Sequence, residues 1–312
     1  MKRKLGMAAA LLVLLVVALY FRPLTALFLA RDFVMWSRGV ESHMVQAGGH
    51  RLHYFEQGEG KPLLILPGLL STAADASPLM NAFAGRRRAI ALDLLGQGAS
   101  ARPDIAYSIA DQSAAVIAFL DSRDWGPVDL LGVSMGGWIA LDVAAKRPDL
   151  VRRLILASSG GPRFETELTP ESFAPQTVAE LNTLIALQSA KQTGPPPAFL
   201  ARDIVRRMKQ DEWVALRAAR SMISSRDAYD DDRLASVRTP TLVYWGREDR
   251  LIPLAVGRRL AAGIPGARLV VTPGCGHLAV LECKAEFVRA AESFLSSVDS
   301  SASPKAPSGP ER

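Results

Sequence analysis

Cysteine is nearly absent from this 312-residue chain and histidine is scarce: two of the first, Cys275 and Cys283, and four of the second. Two cysteines cannot build a disulfide scaffold, and nothing beside them has the spacing of a zinc site. Each reads as a free core thiol, or the pair as a single bridge if the compartment is oxidising. Acidic residues are outnumbered, 31 against 37 basic ones, which leaves a formal charge of +6 and a pI near 9.5. That balance suits an anionic partner such as nucleic acid or a membrane surface. No basic cluster interleaves with aromatics, however, so nucleic acid is not an expected partner. The densest basic run inside the domain, Arg86-Arg87-Arg88, reads as decoration of a loop ahead of a strand. No internal repeat is present.

Apolar residues are not lacking: they make up 49% of the chain, ample for a core. One run is uninterrupted, Leu5 to Phe21, behind Lys2-Arg3-Lys4. Its seventeen residues are just long enough for a short membrane span and long for the core of a cleavable signal. Arg22-Pro23 follows instead of a small-x-small cleavage site, so residues 1–22 read as an uncleaved membrane anchor, with a cleaved signal and secretion as the alternative. Positive residues ahead of the span favour placing the domain that follows on the periplasmic or extracytoplasmic side. Residues 23–43 form a juxtamembrane stretch. In it Leu24, Leu27, Phe28, Phe33, Val34, Met35 and Trp36 suit a helix lying at the interface, or a first helix packed on the domain.

Past this point strands and helices alternate. Met44 to Gln57 reads as a hairpin around Gly48-Gly49. Strands are expected at Pro62–Leu66, Ala89–Asp93, Pro127–Leu131, Val151–Ala157, Thr241–Trp245 and Arg268–Val271, with a helix at Ile109–Leu120 and a final one from about Leu278 to Val298. Continuous apolar strands separated by helices mean a mostly parallel α/β sheet. Between Gly161 and Val237 the strand signals vanish. Helices over Ser172–Gln192, Ala198–Lys209 and Asp211–Ser224 read as an inserted cap. The expected organisation is therefore core 44–161, helical cap 162–237, core 238–298 and a disordered Ser/Pro-rich tail, 299–312.

The chemistry concentrates in Gly132-Val133-Ser134-Met135-Gly136, followed by Gly137. A strand precedes it and a helix, Trp138–Arg147, follows. Serine at such a strand-to-helix turn is a nucleophile elbow: the turn is so tight that only small residues fit two places either side. The plain alternative is a Gly/Ser helix cap. A serine hydroxyl needs a base, and the base needs an orienting acid. His277 follows the last strand in Pro273-Gly274-Cys275-Gly276-His277, on the rim where open α/β sheets bind ligands. His43, His50 and His53 lie in the hairpin and read as surface or packing residues. Asp249 begins the turn after Thr241–Trp245 and is the candidate acid, with Glu248 its near competitor. The backbone N–H groups of Met135 and Leu69 are the candidate oxyanion donors, Gly68 allowing close approach. No cofactor and no metal ion is called for.

In these features the chain resembles the α/β-hydrolase superfamily, from about Leu52 to Leu295. The resemblance rests on Pro67-Gly68, on Asp93-Leu94-Leu95-Gly96-Gln97-Gly98-Ala99-Ser100, on the elbow, and on the Asp249 and His277 loops in the order Ser, Asp, His. It implies an eight-stranded, mostly parallel sheet with helices on both faces and an inserted helical cap. The Asp93–Ser100 stretch is then a structural loop beside the site. Two departures are Pro67 where the family usually has histidine, and Val133 where it often has histidine.

The anchor together with Ser134-Met135-Gly136-Gly137 looks most like membrane-bound monoacylglycerol lipases and carboxylesterases. The resulting expectation is a serine carboxylic ester hydrolase acting on a lipid-like ester through an acyl-enzyme. Phe164, Phe173, Leu181, Leu184, Ile185, Phe199 and Trp213 are candidate pocket residues, or cap core. Hydrolysis of a C–C bond or of an N-terminal prolyl peptide is the alternative on the same fold, as is perhydrolysis. Dehalogenases and epoxide hydrolases are disfavoured because they resemble this fold with Asp at the place of Ser134. A non-catalytic ligand-binding protein is the alternative of another class.

Overall fold

The strands in the middle of the sheet are buried along their length, and those at its two edges are partly exposed. A computed structural model describes residues 22–191, 194–224 and 227–297. Apart from Arg22, the expected anchor lies outside the described residues, as does the 299–312 tail. Eight strands form one sheet: β1 (Glu41–Ala47), β2 (His50–Gln57), β3 (Pro62–Leu66), β4 (Arg88–Leu92), β5 (Val128–Val133), β6 (Val151–Ala157), β7 (Thr241–Gly246) and β8 (Arg268–Thr272). Their spatial order is β1-β2-β4-β3-β5-β6-β7-β8. Pairs β1–β2 and β2–β4 are antiparallel and the rest parallel.

The central strands are apolar on both faces, and the period of two divides them cleanly. Leu64, Leu66, Ile90, Leu92, Leu130, Leu154, Leu156, Val243 and Trp245 pack on one face with α3 (Ile109–Asp121), α4 (Met135–Lys146) and α9 (Leu254–Gly263). Leu63, Ile65, Ala91, Leu131, Ile155, Leu242 and Tyr244 pack on the other with α2 (Ser77–Phe83) and α11 (Lys284–Leu295). Chain direction across the sheet reverses between β3 and β5, which brings the ends of these two strands together at a topological switch point.

The cap enters after β6 and returns before β7. It holds α5 (Val178–Gln188), α6 (Ala198–Met208), α7 (Glu212–Ser224) and the short α8 (Asp231–Ala235). The first cap helix is shorter than its expected 172–192 span. Pro170–Phe173 is a separate 3-10 turn, and Thr177 starts α5 by accepting from the Glu180 N–H. The expected Leu278–Val298 helix is likewise two pieces, α10 (Ala279–Glu282) and α11, broken at Cys283. Helix α2, whose apolar residues lie too close together to show a period, was not expected.

Helix α1 (Pro23–Ser37) packs on the domain along one side only. The Leu24 N–H donates to Asp203 Oδ2 on α6 at 3.0 Å, and the Arg207 guanidinium lies 4.6 Å over the Phe28 ring. Leu27, Leu29, Phe33, Val34 and Trp36 stay exposed. No helix among the described residues is long and apolar enough to cross a membrane.

Of the triple arginine, only Arg86 is exposed in the loop ahead of β4, as expected. Arg87 is buried and donates to Asp129 at 2.8 Å, while Arg88 opens β4, bonds Glu56 and lies 4.9 Å over the Trp125 ring. Burial pushes the Asp129 carboxyl upward, and Arg152 and Arg87 only partly offset it.

Candidate active site

Between β5 and α4 the chain turns so sharply that Ser134 adopts φ +56°, ψ −120°, a conformation disfavoured for any residue with a Cβ. The turn closes only because its neighbours are glycine. A Cβ on Gly132 would sit 2.2 Å from the Gly136 carbonyl oxygen, and one on Gly136 would sit 2.3 Å from that of Leu66. The strained turn is held by the Ser134 N–H donating to Ala157 O at 3.0 Å and by the Gly160 N–H donating to Ser134 O at 3.3 Å. Met135 then opens α4, at a first-turn position that has no intrahelical acceptor for its N–H.

At the neighbouring end of β3, Gly68 lies directly beneath Ser134, where a Cβ would come within 3.2 Å of the Ser134 Cβ. The Gln97 amide donates to Gly68 O at 2.9 Å and so fixes this loop from below. Leu69 and Met135 both line the cavity above Ser134. The two candidate oxyanion donors therefore follow adjoining strand ends and line one cavity.

His277 is buried. Its Nδ1 is 3.0 Å from Asp249 Oδ2, and the other carboxylate oxygen accepts from Leu251 N–H at 3.0 Å and Ile252 N–H at 2.9 Å. An acid with three such bonds cannot swing away. It also fixes the tautomer, because Nδ1 must carry the proton to donate to a carboxylate, leaving Nε2 as a lone pair. That Nε2 is buried with no hydrogen-bond partner among the described residues, and His277 lines the same cavity as Ser134. Glu248, the competitor, instead accepts from the Cys275 N–H at 3.1 Å and braces the histidine loop. Cys275 and Cys283 form a disulfide that brackets His277, resolving the two readings of the pair in favour of the bridge.

The cavity has a volume of about 820 Å³. Of the candidate cap residues, Phe164, Phe173, Leu181, Leu184 and Ile185 line it. Phe199 and Trp213 do not; both are more than a third exposed, and Trp213 packs edge-on against Tyr107 instead. Phe28 and Leu24 of α1 reach its mouth. Among the described residues no group of three His, Cys, Asp or Glu is placed to hold a metal ion.

Two features escaped the sequence reading. His53 is buried against the cavity, with Nδ1 2.7 Å from Asp93 Oδ2 and Nε2 2.9 Å from the Ser42 hydroxyl. Asp93 also accepts from Ala73 N–H and Ala99 N–H, and Gly98 is obligatory because its Cβ would meet the Asp93 carboxylate at 1.9 Å. The Asp93–Ser100 loop is thus a polar plug against the Gly68 loop. The second feature is Glu282, which faces both the cap and the His277 loop and has no motif to announce it.

The family model for the alpha/beta hydrolase fold matches residues 61–283. A 2-hydroxymuconate semialdehyde hydrolase of Pseudomonas putida is 33% identical over 275 residues, covering 82% of this chain and 94% of that protein. A solved membrane phospholipase A, a bacterial virulence factor, superposes with a TM-score of 0.80 at 25% identity, covering 95% of this chain and 98% of its own. A solved serine hydrolase involved in carbazole degradation does so with a TM-score of 0.71 at 26% identity, over 82% of this chain and 99% of its own. With the family model spanning well over half its length, the chain belongs to the α/β-hydrolase fold family and is a hydrolase.

Proposed function

We propose that Ser134 is the nucleophile, His277 the general base and acid, and Asp249 the residue that orients it, in a hydrolase that passes through an acyl-enzyme. The observation that carries this is the buried, unpartnered His277 Nε2 in the cavity of the strained Ser134. Ser134 Oγ adds to a substrate carbonyl carbon while its proton passes to His277 Nε2. The oxyanion so formed accepts from the Met135 and Leu69 N–H groups; losing one such donor costs on the order of 10²–10³ in rate. Collapse breaks the bond to the leaving group, which takes the proton from His277. Water, deprotonated by the same nitrogen, then frees the acid.

For the bond that breaks, the relatives favour the carbon–carbon alternative over the ester reading of the sequence. A muconate semialdehyde contains no ester or amide, so its hydrolase in Pseudomonas putida splits a C–C bond beside a carbonyl. We take a carbonyl-activated C–C bond as the first reading.

One set of observations favours the ester as a second reading. The match to the membrane phospholipase A leaves only a twentieth of this chain unmatched, fewer residues than precede the end of α1, so it extends into the N-terminal region. The apolar cavity of about 820 Å³ also exceeds what a six-carbon acid fills. The exposed apolar side of α1 and the Cys275–Cys283 bridge support a domain held at a membrane on its extracytoplasmic side.

Steady-state kinetics on a dienone C–C substrate, on p-nitrophenyl esters of rising chain length and on phospholipid vesicles separates the readings. A kcat/KM highest on the dienone supports the first, and one that climbs with acyl length supports the second. A chain lacking residues 1–22 that still sediments with membranes would mean that the anchor reading is wrong or that the 24–36 stretch of α1 suffices.

A further inference from the structure

The loop that carries His277 is tied to the cap by a cluster of contacts that the proposed reaction does not use. Glu282 Oε2 accepts from the Gly276 N–H at 2.6 Å, inside the histidine loop, and from the Ala190 N–H at 3.4 Å, on the cap side. Its other oxygen accepts from the Ser189 hydroxyl. Two further bonds cross the same seam: Leu278 N–H to Gln188 O at 3.2 Å, and Lys191 Nζ to Glu282 O at 3.1 Å. Gly276 packs so close that a Cβ there would lie 2.6 Å from Ala190 N and 2.9 Å from Gln188 O. The disulfide between Cys275 and Cys283 closes this nine-residue loop around both His277 and Glu282. On the cap side, Gln188 ends α5, whose Leu181, Leu184 and Ile185 line the cavity.

We infer that Glu282, held within the Cys275–Cys283 bridge, is a positioning residue that fixes His277 against the cap edge at residues 188–191, so that the base and the α5 wall of the pocket keep one relative placement. The inference rests on the proposed role of His277. The physical reason is local. Asp249 fixes the ring of His277 through Nδ1 but not the height of its backbone; that is set by the neighbouring Gly276 N–H, and its acceptor is Glu282. A charged acceptor makes that bond about twice as strong as a neutral one. Burial pushes the Glu282 carboxyl upward. The bonds from Ser189 and from the Gly276, Ala190 and Lys191 N–H groups outweigh it and hold the carboxyl below the ordinary glutamate range.

The test uses the full chain with its disulfide intact. Glu282→Gln keeps the shape and removes the charge; Gly276→Ala pushes the seam apart and leaves Glu282 in place. Both are expected to lower kcat about tenfold, the size of one lost charge-assisted hydrogen bond, with KM changed less than about threefold. The rate of fluorophosphonate labelling of Ser134 falls in parallel. Mild reduction of the wild type, verified by counting two free thiols, lowers kcat in the same manner, and reoxidation restores it. Thermal unfolding of each variant ensures that only folded protein is compared. If Glu282→Gln and Gly276→Ala are both folded and keep kcat within twofold of wild type, the inference is overturned. Failure of the underlying reading looks different: Ser134 of the wild type would not label, or His277→Ala would retain activity.

Discussion

Two sets of serine, histidine and aspartate lie in this molecule. In one, His277 holds Asp249 at 3.0 Å; in the other, His53 holds Asp93 at 2.7 Å and the Ser42 hydroxyl at 2.9 Å. Taken as side chains alone, the second is the better bonded. The backbones differ. Ser42 sits in the extended edge strand β1, paired to β2, with nothing forcing it forward. Ser134 stands on a strained turn, beside a helix N-terminus and over the Gly68 loop, in a cavity of about 820 Å³. His53 Nε2 is already engaged, whereas His277 Nε2 is free to take a proton. The comparison teaches that a hydrogen-bonded triad can be polar packing alone. Donors aimed at a developing charge and room for a substrate are what make one reactive.

The sharpest way to break the comparison is to delete each hydroxyl. Ser134→Ala is expected to lower kcat roughly 10⁴–10⁶-fold with no change in unfolding midpoint, and Ser42→Ala to leave kcat within about twofold. Equal losses in the two variants would erase the distinction. The acids come next. Asp249→Asn places the wrong tautomer on His277 and is expected to cost about 10⁴ in kcat in a folded protein. Asp93→Asn should instead act on stability. Asp93 satisfies His53 and two backbone N–H groups in the interior, so the loss is about 1–3 kcal/mol, read as a lowered midpoint in thermal denaturation.

A loss of stability at least as large, read in the same thermal denaturation, is expected at Gly136. Its Cβ would lie 2.3 Å from Leu66 O, so Gly136→Ala should cost at least ~1–3 kcal/mol through overpacking and open the elbow. The smallest is a pH effect. Glu282 has a carboxyl held below its ordinary range, so its contribution to stability is complete above the unfolded glutamate pKa and is lost as pH falls through the folded value. Melting curves between neutral pH and pH 3 should therefore converge for wild type and Glu282→Gln as the pH drops; curves that stay parallel would show that the carboxylate contributes nothing.

Much of this was legible in the chain, for identifiable reasons. Each central strand is a continuous apolar run because both its faces are covered, and such runs stand out. The candidates Ser134 and His277 stood out because glycines crowd them: Gly132, Gly136, Gly137 and Gly276 are explained by contacts near 2.2–2.6 Å that any Cβ would make, and Gly274 by its φ of +75°. Asp249 was found from its place at a strand end. What stayed hidden depends on pairing across long separations. Arg87 is buried by Asp129, His53 is held by Asp93, and Glu282 reaches cap residues some ninety positions earlier. The last helix breaks at Cys283, the residue bridged to Cys275, and spacing alone left that bridge open. The choice between a C–C bond and an ester was not legible either, because both use the same three side chains.

The most direct test of the account is to treat the full-length protein with a fluorophosphonate and locate the adduct by peptide mass spectrometry. A single adduct on Ser134, lost in His277→Ala and unaffected in Ser42→Ala, is the predicted result. An adduct on Ser42, or undiminished labelling of Ser134 when His277 is gone, would contradict it.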